Sequence, residues 1–374
     1  MLETETVVSF DGERVLINGS ATYPDTEVEG LLFNIRTVNA TFDDTLGKVD
    51  WWDDDGTHSE NAHAGYGLWK SPDSAFANTE RFIDGLADFK AWGILAVNLC
   101  FQGGHPLNAK PWVAESKGSA GARPDGHRGF YHNSGFRADG SIDDDHAARI
   151  ASVIEACDRL GMVAIVELFY FGQDPVFRDE EAVIRATENA VDFVCDRNYT
   201  NVILEIGNEI MQGHFHHDIL KPGRVAELIR RAKEHARQAH GRDLLVSTSE
   251  AALLNVPSQW TYEQIDEVYE VSDCVLLHGG DDVDHGKVGD TSIVVDKIEY
   301  IRQRPWFKEK PRPIIFNESD GAQAFGAAVK RKVSFGLHSA EHFQTMFPPR
   351  WGVWENGVRW FLERVKLVTT KNDE

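Results

Sequence analysis

Two glutamates in this chain follow an asparagine at the end of an apolar run: Glu209 in LEIGNEI and Glu318 in IIFNES. An unpaired carboxylate buried at such a place costs several kcal/mol, so two in equivalent settings point to a purpose-built polar site. Two carboxyls on either side of one bond are what glycosidic cleavage requires. One is a protonated acid for the leaving oxygen, and the other is a nucleophile or base. The preceding residues, Asn208 and Asn317, can bind hydroxyls or hold the carboxylates. Other polar residues interrupt apolar runs at the same end: Asn34 and Arg36, then Asn98 and Gln102, Glu167, Ser249-Glu250, His278, and His338 with Glu341.

Elements must exist to hold these residues together. The opening VVSFDGERVLINGSATYP reads as a hairpin turning at Asp11-Gly12, within residues 1–20. Apolar strand runs then recur at 31–36, 94–100, 162–170, 201–209, 243–250, 274–280, 312–320 and 335–343. Helical stretches separate them. One opens at Ser71-Pro72-Asp73 and stops at Gly93; the others span 143–160, 180–197, 221–240, about 261–269, 290–303 and 321–333, with a closing helix from Asn356 to about Leu367. Runs this continuous suit strands buried on both faces. Eight β/α units predict an α/β fold, a (β/α)8 TIM barrel preceded by a hairpin lid, with residues 1–374 forming one domain. Two βα connections, 37–70 and 101–142, are long. In a barrel they leave from the C-terminal face, where active sites are built.

On these residues the chain resembles the clan A retaining glycoside hydrolases, the cellulase-like family-five barrels. LEIGNEI looks like their strand-four acid/base segment and IIFNES like their strand-seven nucleophile segment. The resemblance implies Glu209 as acid/base, Glu318 as nucleophile, and Asn208 as ligand of the sugar 2-hydroxyl. His278 resembles the strand-six neighbour of the nucleophile. Arg36 is a candidate for the arginine beside it, from a different strand than usual. Asn34, Asn98, Glu167 and Asn317 are the remaining candidates for substrate contact. Ile210 stands where a proline often follows the acid/base, and no tyrosine follows His278. The tryptophan usual on strand eight is absent, and Trp351 or Trp354 is the expected replacement. The expected activity is double-displacement hydrolysis of an oligo- or polysaccharide from a chain end, with no cofactor and no metal.

Two other readings compete. His105, His278 or the HFHHD stretch (His214, His216, His217, Asp218) could ligate a metal in a barrel hydrolase or isomerase. Alternatively the barrel could bind carbohydrate without cleaving it. The acidic runs Asp53–Asp55 and Asp281–Asp284 lack calcium-loop spacing and read as solvated. Trp51, Trp52, Trp69 and Trp112 fall in the long connections and suit either sugar stacking or loop packing.

Composition narrows the partners. The chain has 374 residues, 42% hydrophobic and 26% charged, and a net charge of −22. That field repels nucleic acid and anionic membrane, leaving a carbohydrate as the expected partner. No apolar run reaches the roughly 20 residues of a membrane span. The start, MLETETVV, carries two glutamates where a secretory signal needs basic and then apolar residues, so none is expected. Cys100, Cys157, Cys195 and Cys274 each sit in apolar segments without CxxC spacing, as expected of reduced thiols in a cytoplasmic protein.

Overall fold

The computed structural model describes residues 5–43, 74–103, 133–211, 215–254, 256, 258–279, 291–338, 343, 351–353 and 356–371. It opens with a small antiparallel sheet, β1 (Val8–Asp11), β2 (Arg14–Ile17) and β3 (Ser20–Ala21). Asp11 pairs with Arg14, so the loop residues are Gly12 and Glu13, one position later than the sequence suggests. Gly12 takes the positive φ of +58° that the tight turn needs.

The remaining strands are β4 (Asn34–Arg36), β5 (Ala96–Cys100), β6 (Val163–Tyr170), β7 (Val202–Asn208), β8 (Leu245–Ser247), β9 (Ser249–Glu250), β10 (Val275–Gly279), β11 (Ile314–Ser319) and β12 (Ser334–Leu337). They form one parallel sheet ordered β8-β7-β6-β5-β4-β12-β11-β10-β9. The end strands β8 and β9 are halves of the fifth apolar run, separated only by Thr248. The chain itself therefore closes the ring, giving the (β/α)8 barrel. The interruption has a local cause: the Thr248 hydroxyl turns onto β7, donating to the Gly207 carbonyl at 2.7 Å.

Helices follow the strands: α1 (Ala75–Ala91), α2 (Asp144–Arg159), α3 (Glu180–Asp196), α4 (Val225–His240), α5 (Tyr262–Val271), α6 (Ser292–Gln303), α7 (Pro305–Glu309), α8 (Ala322–Lys330) and α9 (Asn356–Thr369). Their starts carry capping side chains: Ser74, Asp143 and Asp179 accept backbone N–H groups, and Thr261 with Gln264 forms a capping box. Ser74 is the cap of α1; the expected Ser71-Pro72-Asp73 start lies outside the described residues. Helix α4 begins at Val225 rather than at Lys221-Pro222, because Pro222-Gly223 forms a turn first. Gly241, at φ +64°, ends it.

Strand alternation divides the barrel interior into two zones. Leu32, Ala96, Val163, Ile165, Ile203, Cys274, Leu276 and Ile315 pack together at the N-terminal end, with Val8 and Val15 of the hairpin against them. The hairpin thus plugs the bottom of the barrel and is not a lid over the polar end. Two residues further along the same faces come Asn34 and Arg36, Asn98, Glu167, Glu205, Ser247, His278 and Asn317, all buried. Gly336 is required beside them, since a Cβ there would overlap the Asn34 carboxamide. The outward faces, such as Phe33, Ile35, Val97 and Leu99, join the main apolar layer under the helices. No described helix is long and apolar enough to cross a membrane.

Candidate active site

Asparagine and glutamate are adjacent in both motifs, and strict alternation would send one of each pair outward. The structure breaks alternation at both places. On β11 the register with β10 shifts, so Leu277 faces Phe316 and His278 faces Glu318. Bulges of this kind re-aim side chains at sites. Asn317 then donates to Glu205 at 2.9 Å inside the barrel, while Glu318 turns into the mouth. At the end of β7, Glu209 adopts φ +49°, the left-handed region that non-glycine residues enter at a cost of about 1–3 kcal/mol. Its backbone is tied down by neighbours. Ser249 Oγ accepts the Glu209 N–H at 3.3 Å, and the Glu250 carboxylate accepts the N–H groups of Met211 and Ala252, each at 2.6 Å.

The two carboxylates meet at His278. Its Nδ1 lies 2.9 Å from Glu209 Oε1 and 3.6 Å from Glu318 Oε2. One oxygen of each glutamate and a His278 ring nitrogen all lie within 4.8 Å of one another. Arg36, fully buried, is the cationic centre beneath them. Its Nε is 2.7 Å from Glu318, and one terminal nitrogen reaches Glu167 at 2.6 Å and Asn208 Oδ1 at 2.9 Å. His338 lies 3.4 Å from the other Glu318 oxygen.

These charges give the carboxyls different characters. Burial would raise Glu318, but His338, His278 and Arg36 outweigh it and hold the group down at about 2. Burial pushes Glu167 and Glu205 upward, and mutual repulsion adds to this for Glu167 against the pull of Arg36. Burial would lower His278, yet Glu318 and Glu209 overcome it and raise the imidazole. Burial also brings Glu250 up to about 7, against the two backbone N–H groups it accepts. The site therefore holds Glu318 firmly ionised, while Glu167, Glu205, Glu250 and His278 are biased to keep their protons.

The structure brings Arg36, Glu167, Asn208, Glu209, His278 and Glu318 into one connected cluster. Asn34 and Asn98 sit in the buried layer, donating to the carbonyls of Phe316 at 3.2 Å and Asn317 at 3.5 Å. Trp351 donates to Asn78 on α1 at 2.9 Å and stacks on Phe343, with ring centroids 5.5 Å apart. Those contacts are with helix α1 and the outer layer rather than with the carboxylates. Trp354, His105, His214, Glu341, both acidic runs and the four loop tryptophans lie outside the described residues. The HFHHD stretch organises a loop: the His216 and His217 amides donate to Asp174 at 2.7 and 2.8 Å, and Asp218 pairs with Lys221 at 2.5 Å. The four cysteines are buried free thiols, with burial raising Cys157 to about 12 and Cys195 to about 11.

Glu205, within LEIGNEI on β7, supports the buried polar layer by holding Asn317. Sequence reasoning missed one participant. Lys297, on α6, is 1% exposed and donates to the carbonyls of His278, at 2.6 Å, and Ala251. Its signal was present: it interrupts the apolar helix face of Val294, Ile298 and Ile301. Burial lowers its ammonium to about 8 despite Glu250 and Glu209.

Removing Arg36 leaves buried carboxylates uncompensated. Arg36→Met should destabilise the protein by about 3–5 kcal/mol, read from denaturant unfolding. It should also lift the Glu318 carboxyl, since a cation that favours its charged form is gone. In residual activity the acid limb of the pH profile then moves to higher pH. An unchanged limb with unchanged stability would show that Arg36 does not set the charge of the site.

Comparison with solved structures places the fold. The chain is similar to a β-glucosidase from Thermotoga maritima, with a TM-score of 0.54, 10% identity, and coverage of 90% of this chain and 98% of that one. It is equally similar in fold to a β-mannanase from the blue mussel Mytilus edulis (TM-score 0.54, 11% identity, 99% and 98% covered). An endo-β-1,4-glucanase from Xanthomonas axonopodis pv. citri gives 0.50, at 13% identity over 77% and 90%. The chain has the barrel fold of these proteins. No protein-family model matches the sequence, and no curated protein matches it.

Proposed function

We propose that this chain is a retaining glycosidase in which Glu318 is the nucleophile and Glu209 the acid/base. The reading rests on one observation: carboxylate oxygens of Glu209 and Glu318 within 4.8 Å at the polar end of the barrel. Retaining enzymes keep their two carboxyls about 5–5.5 Å apart, whereas inversion needs about 6.5–9.5 Å to admit a water. The fold shared with a β-glucosidase, a β-mannanase and an endoglucanase supports it.

The chemistry divides between the two groups. Glu318, kept anionic by His338, His278 and Arg36, attacks the anomeric carbon as the glycosidic bond breaks. Glu209 gives its proton to the departing oxygen and then takes one from the water that releases the sugar. His278 Nδ1 hydrogen-bonds Glu209 and lies 3.6 Å from Glu318, which ties the two groups into one network. Asn208 accepts from Arg36 through Oδ1, which leaves its amide N–H groups to bind a sugar hydroxyl. Arg36 already supplies a cation at the nucleophile, so the reaction as drawn needs no metal. A panel of aryl glycosides and oligosaccharides tests the reading. Turnover of at least one supports it; tight sugar binding with no turnover of any would favour a binding protein.

We also propose release of one or two sugars from a chain end. The supporting fact is the length of the two connections that leave β4 and β5 at the polar end, 37–70 and 101–142. Segments this long suit a wall across the site, and an open groove needs short ones. Product analysis on a long oligosaccharide should show short products first. Early mid-length fragments would mean internal cleavage.

A further inference from the structure

A second cluster of ligating side chains lies far from the carboxylate pair. Helices α3 and α4 pack side by side, and their C-terminal ends point to the hairpin end of the barrel. There Asp192 of α3 meets two imidazoles of α4: His235 Nε2 and His240 Nε2 each lie 2.7 Å from the same oxygen, Asp192 Oδ1. All three donor atoms fall within 4.8 Å of one another, and all three side chains are partly open to solvent. The other nitrogen of His240, Nδ1, faces Asp196 at 3.5 Å.

We propose that Asp192, His235 and His240 bind a divalent transition metal of the zinc class. Two imidazole nitrogens and one carboxylate oxygen form a donor set suited to zinc, copper or nickel and poorly suited to magnesium or calcium. Asp196 takes the place of the outer carboxylate that typically accepts the second N–H of a ligating histidine. Each Nε2 is hydrogen-bonded to Asp192 Oδ1 at 2.7 Å, and a metal would displace those protons to solvent and take the same three donor atoms. Zinc bonds of about 2.0–2.1 Å in a tetrahedron set ligands about 3.4 Å apart, so each imidazole nitrogen need only move a fraction of an ångström away from the Asp192 oxygen. Their partial exposure leaves room for that and for a water as fourth ligand. The chain's net charge of −22 favours capture of any cation. The consequence is a clasp between two helices. It adds stability through binding to the folded state alone.

The test is calorimetric titration of zinc sulfate into the intact, metal-stripped protein, with thermal unfolding in parallel. The wild type should bind one equivalent and unfold at a higher temperature with zinc present. Asp192→Ala and His240→Gln should each weaken binding by at least about tenfold, and Asp196→Asn by about 10–100-fold. Circular dichroism confirms that each variant is folded, and His235→Gln, which removes the third ligand, should weaken binding as the other two ligand variants do. Glu318→Gln should leave this binding intact, which separates the clasp from the other carboxylate–histidine cluster. Absence of binding to the wild type would overturn the proposal. So would binding that survives Asp192→Ala and His240→Gln.

Discussion

Glu318→Ala should lose turnover on every substrate, activated or not, by at least about 10⁴-fold in kcat, the scale of losing a covalent nucleophile. The expectation follows from charge as much as position. His338, His278 and Arg36 are arrayed about Glu318 and hold it ionised. Among the described residues, no other group at the polar end combines that ionisation with a place facing Glu209. Because Arg36 and His278 lose a partner in the variant, its folding must be checked by unfolding before the kinetics are read. A folded variant that keeps more than a small fraction of wild-type kcat would place the nucleophile elsewhere.

Glu209→Ala should divide substrates instead of silencing them all. With an ordinary sugar as leaving group, protonation of the departing oxygen is essential, and loss of the acid should cost about 10²–10⁴-fold. An aryl glycoside with a strongly acidic phenol departs without that proton, so its first step should be nearly unaffected. The slope of rate against leaving-group acidity therefore steepens in this variant. Identical dependence in the Glu209 and Glu318 variants would mean that the two roles are wrongly divided.

Much of the architecture could be read from the apolar runs, because strands buried on both faces leave a strong and unambiguous signal. The polar residues that end those runs also marked one end of the barrel. What alternation could not give was how Asn-Glu pairs place both side chains in the mouth. That depends on the register shift between β10 and β11 and on the left-handed backbone of Glu209, both of which are products of packing between strands. The role of Arg36 shows a similar limit. Its identity was visible, but its simultaneous contact with Glu167, Asn208 and Glu318 joins strands more than a hundred residues apart in sequence. The hairpin looked like a lid because nothing in residues 1–20 says which end it covers. Only the packing of Val8 and Val15 against Ala96, Ile203 and Ile315 decides that. Lys297 was overlooked for a simpler reason: one lysine in an amphipathic helix reads as solvent-facing until the helix is docked.

The most direct test of the double displacement is a search for its covalent intermediate. The protein is incubated with 2-deoxy-2-fluoro aryl glycosides matching whichever aryl glycoside it turns over. The fluorine slows both formation and breakdown of the glycosyl-enzyme, and the good leaving group restores formation alone, so the intermediate accumulates. Digestion and peptide mass mapping then locate the added sugar. The account predicts time-dependent inactivation and one sugar mass on the peptide containing Glu318. A sugar attached to Glu209 or to any other residue would contradict it, as would active protein that carries no adduct and releases its product with inverted configuration.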